Sequence, residues 1–273
     1  MAEVVRTALA EDLGDRGDVT SDALIPQDLI AHARLVSRVP GVFAGRAVGH
    51  EVIRQCGLEV VWRVDDGDRL AEPGTIIAEL TGSARAMLAC ERTLLNLVGH
   101  LSGIATMTRG FVLVCAANGG CAVLDTRKTT PGLRALEKAA VVAGGGTNHR
   151  FGLYDRVLVK DNHLALAGAD LVEAVRRVRS RWPELLVEVE ADDAAGVRLA
   201  LDAGADWILL DNMGPEQLRA AVTEIGGRAR TEASGRIDLS TAAEASASGV
   251  DAISVGRLTH SAPTLDIGLD VDA

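Results

Sequence analysis

Charged and polar side chains stand at the ends of several short apolar segments from about residue 120 onward. Lys160 ends one segment, Glu190 ends the next, and Asp211 ends the one after that. If these segments are parallel strands, their ends meet at one edge of the sheet and bring the side chains together. The groups in chain order are Thr126-Arg127-Lys128, Lys160-Asp161-Asn162-His163, Glu188 and Glu190, Asp211-Asn212, Ser234-Gly235, and Ser254 with Gly256. Acidic and basic groups that converge in this way predict an enzyme site.

The lysines are concentrated in one part of an otherwise acidic chain. Lys128, Lys138 and Lys160 are the only lysines and fall within 33 residues. Residues 125–163 contain seven Lys or Arg against four Asp or Glu, a net charge of +3, whereas the whole chain carries −10. This contrast predicts a pocket for a small anionic ligand. A solvated basic helix is the alternative for Arg134 and Lys138, and the sequence leaves both interpretations open.

The composition excludes several classes of protein. The chain has 273 residues, of which 48% are hydrophobic and only 3% aromatic, so we expect a folded core of small aliphatic side chains. We find no uninterrupted apolar stretch long enough for a membrane span and no secretory signal, and we expect a cytoplasmic protein. The four cysteines lack a C-x2-C pair, which argues against a zinc site and favours reduced thiols. The acidic charge argues against nucleic acid as a partner.

Residues 1–103 have the pattern of a separate α+β domain. Apolar segments near 33–39, 60–64 and 75–80 alternate with turn residues, which predicts antiparallel strands in a sandwich-like arrangement. Leucine spacing then predicts a helix over about 84–101. We expect the C-terminal tail, residues 263–273, to pack with this domain.

Residues 104–262 have the pattern of an incomplete βα barrel. Six short apolar runs predict parallel strands, and helical patterns lie near 164–182, 192–204, 214–226 and 240–249, the last with Ser240 as a candidate N-cap. The last four strand ends are spaced by 21, 21 and 22 residues, as in a βα barrel. The predicted fold is therefore α/β, with an N-terminal α+β domain followed by a barrel of about six strands.

Three glycine-containing loops are candidate anion sites. His149-Arg150 follows Gly144-Gly145-Gly146 and offers donors for a carboxylate or phosphate, although the glycines also suit an ordinary helix end. Ser234-Gly235 and the run Ser254 to Arg257 follow the last two strands, where barrels often hold a phosphate. The chain has no G-x-x-x-x-G-K-[ST] motif and no G-x-G-x-x-G after a strand, so neither nucleoside triphosphatase nor Rossmann chemistry is indicated.

Taken together, these motifs resemble one family. The matching segments are Glu91 to Asn96, Asp125 to Arg134, Gly144 to Arg150, Val159 to His163, Val187 to Glu190, Leu210 to Asn212, Glu232 to Gly235 and Gly256 to Ser261. In this combination they closely resemble the quinolinate phosphoribosyltransferases, and the resemblance covers nearly the whole chain. Two positions depart from the pattern: Ala139 stands where a tyrosine is expected, and Arg236 where a small or asparagine-like residue is common.

The resemblance implies an activity and a role for each motif residue. The activity is transfer of phosphoribosyl from phosphoribosyl pyrophosphate (PRPP) to quinolinate with decarboxylation, giving nicotinate mononucleotide in NAD biosynthesis. Quinolinate is expected at Arg92, Thr126, Arg127, His149, Arg150 and Lys160. PRPP is expected at Lys128, Glu190, Asp211, Ser234, Gly235, Arg236, Val255, Gly256 and Arg257, with Glu190 and Asp211 near the ribose hydroxyls and Mg²⁺. The implied catalytic residues are Lys128, Lys160, Glu190 and Asp211.

The resemblance also implies a homodimer or a higher even oligomer. In the family that the sequence resembles, the arginine at the position of Arg92 reaches the quinolinate site of the neighbouring subunit. The alternative is that Arg92 extends from its apolar helix to solvent.

Three other functions fit parts of the sequence. A Schiff-base aldolase barrel also places a lysine at a strand end, here Lys160. A molybdenum-associated relative of the same family acts on another base. A binding protein without catalytic activity is the third, but it has no need of Glu190 and Asp211 opposite a basic cluster.

Overall fold

The computed structural model describes residues Met1–Asp272, which form two compact units. The first comprises Met1–Arg109, Thr129–Gly145 and the segment from Leu258 onward, and the second comprises Gly110–Lys128 and Gly146–Arg257. Residues 129–145 therefore lie with the first unit, although the sequence pattern placed them in the barrel domain. The reason is local packing, since the carboxylate of Glu137 lies 2.8 Å from the ring of His100 in that unit.

The first unit is built around an antiparallel sheet. Its elements are α1 (Ala2–Leu13), α2 (Val19–Leu24), β1 (Ile30–Ser37), β2 (Gly41–Val42), α3 (Arg46–Gln55), β3 (Glu59–Trp62), β4 (Arg69–Leu70), β5 (Ile76–Ser83), α4 (Ala84–Ala117), α5 (Arg134–Ala143), α11 (Arg257–His260) and β12 (Ile267–Asp272). The main sheet has the order β12-β1-β5-β3, and β2 pairs with β4 in a separate ribbon. The C-terminal strand pairs with β1 in a register that sets Ser37 opposite Ile267.

Helix α4 extends well beyond the predicted end near Leu101. It continues to Ala117, so its last eight residues belong to the second unit. The helix has the length and hydropathy that a membrane span needs, with a mean hydropathy of 1.3 over its most apolar window. Because 56% of that window is buried inside the protein, it has the character of a core helix.

The second unit contains a parallel sheet with helices between its strands. Its elements are β6 (Ala122–Leu124), β7 (Val157–Val159), α6 (Asp161–Ala167), α7 (Leu171–Arg181), β8 (Val187–Ala191), α8 (Ala194–Asp202), β9 (Trp207–Asp211), α9 (Pro215–Ile225), β10 (Arg230–Ser234), α10 (Leu239–Ala247) and β11 (Ala252–Ser254). The strand order is β6-β11-β10-β9-β8-β7. Within Met1–Asp272 no ladder joins β6 to β7, so the six strands form an incomplete barrel, and the predicted fold class is confirmed.

The helices of this unit begin and end at capping residues that the sequence pattern only partly identified. The segment predicted as one helix over 164–182 is two helices, because Gly168 adopts a left-handed conformation and Asp170 caps the next helix. Helix α10 is capped by Asp238, whose carboxylate accepts from the N–H groups of Ser240 and Thr241. The predicted N-cap, Ser240, lies one residue inside the helix.

Strand β8 shows how the sheet presents functional groups to the barrel interior. Its side chains alternate between the two faces of the sheet, so Val187 and Val189 share one face and Glu188 and Glu190 share the other. Glu188 is fully buried, whereas Glu190, nearer the carboxyl end, is partly exposed. One strand thus supplies one carboxylate below the mouth of the barrel and one at the mouth.

Candidate active site

The predicted site residues of the second unit all lie at or near the carboxyl ends of its strands. Thr126, Arg127 and Lys128 follow β6, and Lys160 follows β7. His149 and Arg150 come before β7 in the chain but lie beside the end of β6, because Thr147 bridges Leu124 and Asp125 accepts the N–H of His149. Glu190 lies near the end of β8, Asp211 and Ser234 end β9 and β10, Gly235 and Arg236 follow β10, and Val255, Gly256 and Arg257 follow β11. Arg92 is the exception, since it belongs to the first unit.

Two of these arginines lie close enough to oppose each other's charge. Burial and the neighbouring positive charge of Arg127 lower the pKa of Arg150. The guanidinium of Arg150 also donates to the main-chain carbonyl of Arg156, at 3.4 Å. The carboxylates of Glu188 and Asp155 act in the opposite direction and offset part of this cost. Two guanidinium groups in this position suit a carboxylate or phosphate as ligand.

Lys160 connects the end of β7 with the end of β8. Its ammonium group forms an ion pair with the carboxylate of Glu190, and its side chain is 40% exposed. Its backbone N–H donates to Nδ1 of His163 at 3.0 Å, which fixes the first turn of α6. A Schiff-base nucleophile needs a free amine, so the ion pair weighs against the aldolase alternative.

The ends of β9 and β10 are joined through Asn212. Its backbone N–H donates to the carbonyl of Ser234 at 2.9 Å, and its side-chain amide donates to Asp211 Oδ2 at 2.6 Å. Asn212 has a φ of 55°, a left-handed conformation that asparagine tolerates better than most residues. Asp211 is thus oriented by the residue that follows it.

Gly235 packs directly against Asn212. A Cβ at Gly235 would overlap the Asn212 side-chain oxygen and lie 2.9 Å from its backbone nitrogen, and Gly235 has a φ of 104°. Both the close approach and the backbone conformation therefore require glycine. Arg236, one of the two departures from the family pattern, is exposed and has a φ of 51°.

We expect Gly235→Ala to reduce the free energy of unfolding by about 1–3 kcal/mol, because it disturbs the contact with Asn212 and forces alanine into a left-handed backbone conformation. Gly227→Ala is the matched control, since Gly227 also has a positive φ, 77°, but has nothing within 4 Å of its Cβ position. Urea unfolding of both variants measures the difference. Equal losses of stability in the two variants would show that the contact with Asn212 is unimportant.

The three predicted site residues in the turn after β11 are not equally available to a ligand. The backbone N–H of Val255 donates to the carbonyl of Leu124 at 2.9 Å, so this amide is already used within the sheet. Gly256 is partly exposed and Arg257 is exposed. Val255 therefore shapes the turn, and any phosphate contact from this segment comes from the residues after it.

A buried ionic cluster lies beneath the mouth of the barrel. Nε2 of His149 is 3.0 Å from Glu188 Oε2 and 3.3 Å from Glu232 Oε2. Arg156 Nε lies 3.3 Å from Glu188 Oε2, and its guanidinium stacks over the ring of Trp207 at 4.5 Å. Burial raises the pKa of Glu188, although the hydrogen bond from His149 opposes this. The ligand atoms of His149, Glu188 and Glu232 lie within 4.8 Å of one another, but Arg156 already supplies a cation to the cluster.

The ring of His149 is subject to opposing influences. Burial lowers its pKa, but the carboxylates of Glu188 and Glu232 outweigh burial and raise the pKa. The backbone N–H of Arg150 donates to His149 Nδ1 at 2.7 Å, which requires a lone pair on that nitrogen. The contacts therefore fit the tautomer with its proton on Nε2, 3.0 Å from Glu188 Oε2, and protonation of Nδ1 would break the contact with Arg150.

Sequence reasoning placed Glu188 among the groups at the strand ends but gave no substrate or catalytic role to Glu188, Glu232, Asp125 or Arg156. The available signal was the two-residue spacing of Glu188 and Glu190, which puts two carboxylates on one face of a buried strand. Asp125 is likewise fully buried at the end of β6 and accepts from the backbone N–H of His149 at 3.0 Å.

Arg92 lies on the outward face of α4 in the first unit. It is exposed, as are Leu88 and Asn96, which lie one turn before and after it on the same side of the helix. The helix therefore presents this arginine away from its own core.

Comparison with known proteins identifies the family. Residues 104–270 match the quinolinate phosphoribosyl transferase C-terminal domain, and residues 18–102 match the N-terminal domain of the same family. The chain belongs to the quinolinate phosphoribosyltransferase family. The resemblance carried by the sequence motifs is therefore confirmed.

Individual relatives match this family member over nearly their whole length. It is 45% identical to the nicotinate-nucleotide pyrophosphorylase [carboxylating] of Mycobacterium leprae, covering 98% of this chain and 96% of the relative. It is 43% identical to the probable nicotinate-nucleotide pyrophosphorylase [carboxylating] of Bacillus subtilis, covering 96% and 90%. The crystal structure of the nicotinate-nucleotide pyrophosphorylase from Ehrlichia chaffeensis superposes with a TM-score of 0.94 at 34% identity, covering 100% of this chain and 98% of that one.

Proposed function

We propose that this protein transfers the phosphoribosyl group of PRPP to quinolinate and releases carbon dioxide and pyrophosphate, forming nicotinate mononucleotide for NAD synthesis. Membership of the family over both of its domains supports this activity. In the structure, the observation that carries it is the set of cations near the ends of β6 and β7: Arg127 follows β6, Lys160 follows β7 and pairs with Glu190, and Arg150 adjoins His149, whose N–H is bound by Asp125 after β6. Quinolinate is a dianion, and such a group of cations suits its two carboxylates.

PRPP is assigned to the other side of the mouth. Lys128, the turn around Ser234, Gly235 and Arg236, and the turn of Gly256 and Arg257 would receive its phosphates. Glu190 and Asp211 end neighbouring strands and offer carboxylate oxygens, the ligands that Mg²⁺ takes. Glu190 already forms an ion pair with Lys160, so protein ligands alone would bind a metal ion weakly here. The two carboxylates better suit a Mg²⁺ ion that is also coordinated by the pyrophosphate of PRPP. When bound, Mg²⁺ neutralises charge on the pyrophosphate leaving group.

The residues at the mouth then have separate tasks in the reaction. The quinolinate nitrogen forms a bond to C1′ of the ribose as the bond from C1′ to pyrophosphate breaks. Carboxylates near the ribose stabilise positive charge that develops on the sugar. The new ring nitrogen is cationic, so it stabilises the electron pair left on the adjacent ring carbon when the carboxylate departs as carbon dioxide. That carbon then takes a proton from water, and the site holds the adduct in place during both events.

The direct test uses purified protein with quinolinate, PRPP and Mg²⁺. We expect nicotinate mononucleotide and one equivalent of carbon dioxide, measured by chromatography and by release of label from carboxyl-labelled quinolinate. Turnover of a different pyridine carboxylate but not quinolinate would instead support the molybdenum-associated relative. Borohydride trapping of a carbonyl substrate on Lys160 would support the aldolase.

We expect Glu190→Gln and Asp211→Asn each to weaken PRPP binding by about tenfold or more while changing quinolinate affinity less than about threefold, since both carboxylates are assigned to the ribose and metal. Asp192→Asn is a matched control, because Asp192 is an exposed carboxylate two residues beyond Glu190. Separate titrations with PRPP–Mg²⁺ and with quinolinate give the two affinities. An equal loss of affinity for PRPP and for quinolinate would show that the two substrates are assigned to the wrong sides of the mouth.

We further propose that the active form is a homodimer or a higher even oligomer. The outward position of Arg92 supports this, because its side chain is available to a neighbouring subunit. A cytoplasmic location is also a proposal, supported by four cysteines that are all free thiols.

A further inference from the structure

Both ring nitrogens of His149 are engaged within the protein. Nε2 lies against Glu188 and Glu232, and Nδ1 accepts the backbone N–H of Arg150. The side chain is only 8% exposed. A histidine that binds a substrate carboxylate needs an N–H directed into the open site, and here that proton points into the buried glutamates.

We propose that His149 is a positioning residue that acts on quinolinate only through Arg150, and that the buried pair Glu188 and Glu232 holds it in that role. The inference rests on the proposed function, because it takes quinolinate as the anion that Arg150 binds. It replaces the expectation that His149 itself contacts a carboxylate of the substrate.

The structure fixes the backbone of this segment at two consecutive amides. Asp125 accepts the N–H of His149 at 3.0 Å, and His149 accepts the N–H of Arg150 at 2.7 Å. The guanidinium of Arg150 is then held at its far end by the carbonyl of Arg156, at 3.4 Å. Arg150 is therefore oriented from both ends, and the ring of His149 is what connects its backbone to the buried carboxylates.

The arrangement of charges explains why such support is needed. Burial and the nearby positive charges of Arg127 and Arg156 lower the pKa of Arg150, while the carboxylates of Glu188 and Asp155 oppose the shift. Without support, the Arg150 guanidinium would be free to take other positions, and the geometry for a planar carboxylate would be lost. Glu188 and Glu232, both fully buried, anchor the histidine at a depth that solvent does not reach.

A double-mutant cycle separates a positioning residue from a second ligand. Quinolinate affinity is measured by calorimetry for wild type, His149→Gln, Arg150→Ala and the double variant. If His149 acts only through Arg150, His149→Gln weakens quinolinate about tenfold, but adds less than about twofold when Arg150 is already alanine. Additive losses would overturn the proposal, since two independent ligands contribute independently.

Two further variants keep the test decisive if His149→Gln folds poorly. Asparagine places an acceptor near the position of Nδ1, so His149→Asn retains the Arg150 contact and should keep more quinolinate affinity than glutamine does. Glu232→Gln keeps the shape of the anchor but removes its charge, and its loss should likewise disappear in the Arg150→Ala background. If either variant fails these expectations, His149 does not act as a positioning residue.

PRPP binding distinguishes this mechanism from a general loss of structure. All of these variants should bind PRPP–Mg²⁺ within about twofold of wild type, because none touches the assigned phosphate groups. Parallel losses for PRPP would mean that His149 is merely structural and would contradict the inference. Failure of wild type to bind quinolinate would instead contradict the proposed function.

Discussion

Lys160→Ala is expected to lower kcat by about 10²- to 10³-fold while leaving the protein folded. The side chain is 40% exposed and paired with Glu190, so its removal deletes little core packing. It does remove a positive charge from the mouth of the barrel, and it leaves the Glu190 carboxylate facing an anionic substrate. The loss should therefore appear mainly in catalysis and in quinolinate binding.

Steady-state kinetics with each substrate varied in turn measures this effect, and thermal unfolding checks the fold. Lys160→Arg is the informative companion, because it keeps the charge but replaces a compact ammonium with a planar guanidinium. We expect it to recover part of the lost activity. Wild-type kcat and KM in the alanine variant would remove Lys160 from the site.

The strand ends were predictable because their signal is local. Each strand is a short apolar run that stops at a polar residue, and a repeat of 21 to 22 residues fixes the order of strands and helices. In parallel strands this alone brings the carboxyl ends to one edge. Lys160, Glu190 and Asp211 could therefore be assigned to one mouth without knowledge of any contact between them.

The end of helix α4 was not predictable, because tertiary packing determines it. The pattern predicted a domain boundary at Gly103 and the end of the helix just before it, but the helix continues through Gly103 to Ala117. A Cβ at Gly103 would overlap the carbonyl oxygen of Pro263, so this glycine serves a close approach and does not end the helix. A packing requirement in a distant segment leaves no trace in the local pattern.

The buried cluster was missed for a related reason. Glu188 and Glu232 come from different strands, and their connection through His149 depends on side-chain positions that spacing does not specify. His149 and Arg150 were interpreted as a donor pair for the substrate, because their residue types alone suggest that role. Only the hydrogen bonds show that the histidine is directed inward.

Arg92→Ala is expected to abolish most turnover even though Arg92 lies on a helix of the first unit. Its guanidinium is exposed on the same face as Leu88 and Asn96, where it does not support the core of its own domain. If a twofold axis brings this face to the barrel of a neighbouring subunit, each site takes one arginine from the other chain. Arg92 would then bind quinolinate in trans.

Mixing two inactive variants tests this arrangement. A dimer of one Arg92→Ala chain and one Lys160→Ala chain has one intact site and one doubly defective site, so random exchange should restore about a quarter of wild-type sites. The control mixes Lys160→Ala with Arg150→Ala, whose positions lie in the same unit, so every site of the mixed dimer remains defective. Recovery in the first mixture alone places Arg92 across the interface, because no arrangement within one chain produces it. If exchange is verified by mass-tagged subunits and neither mixture recovers, Arg92 serves its own chain and the dimer is not required to complete the site.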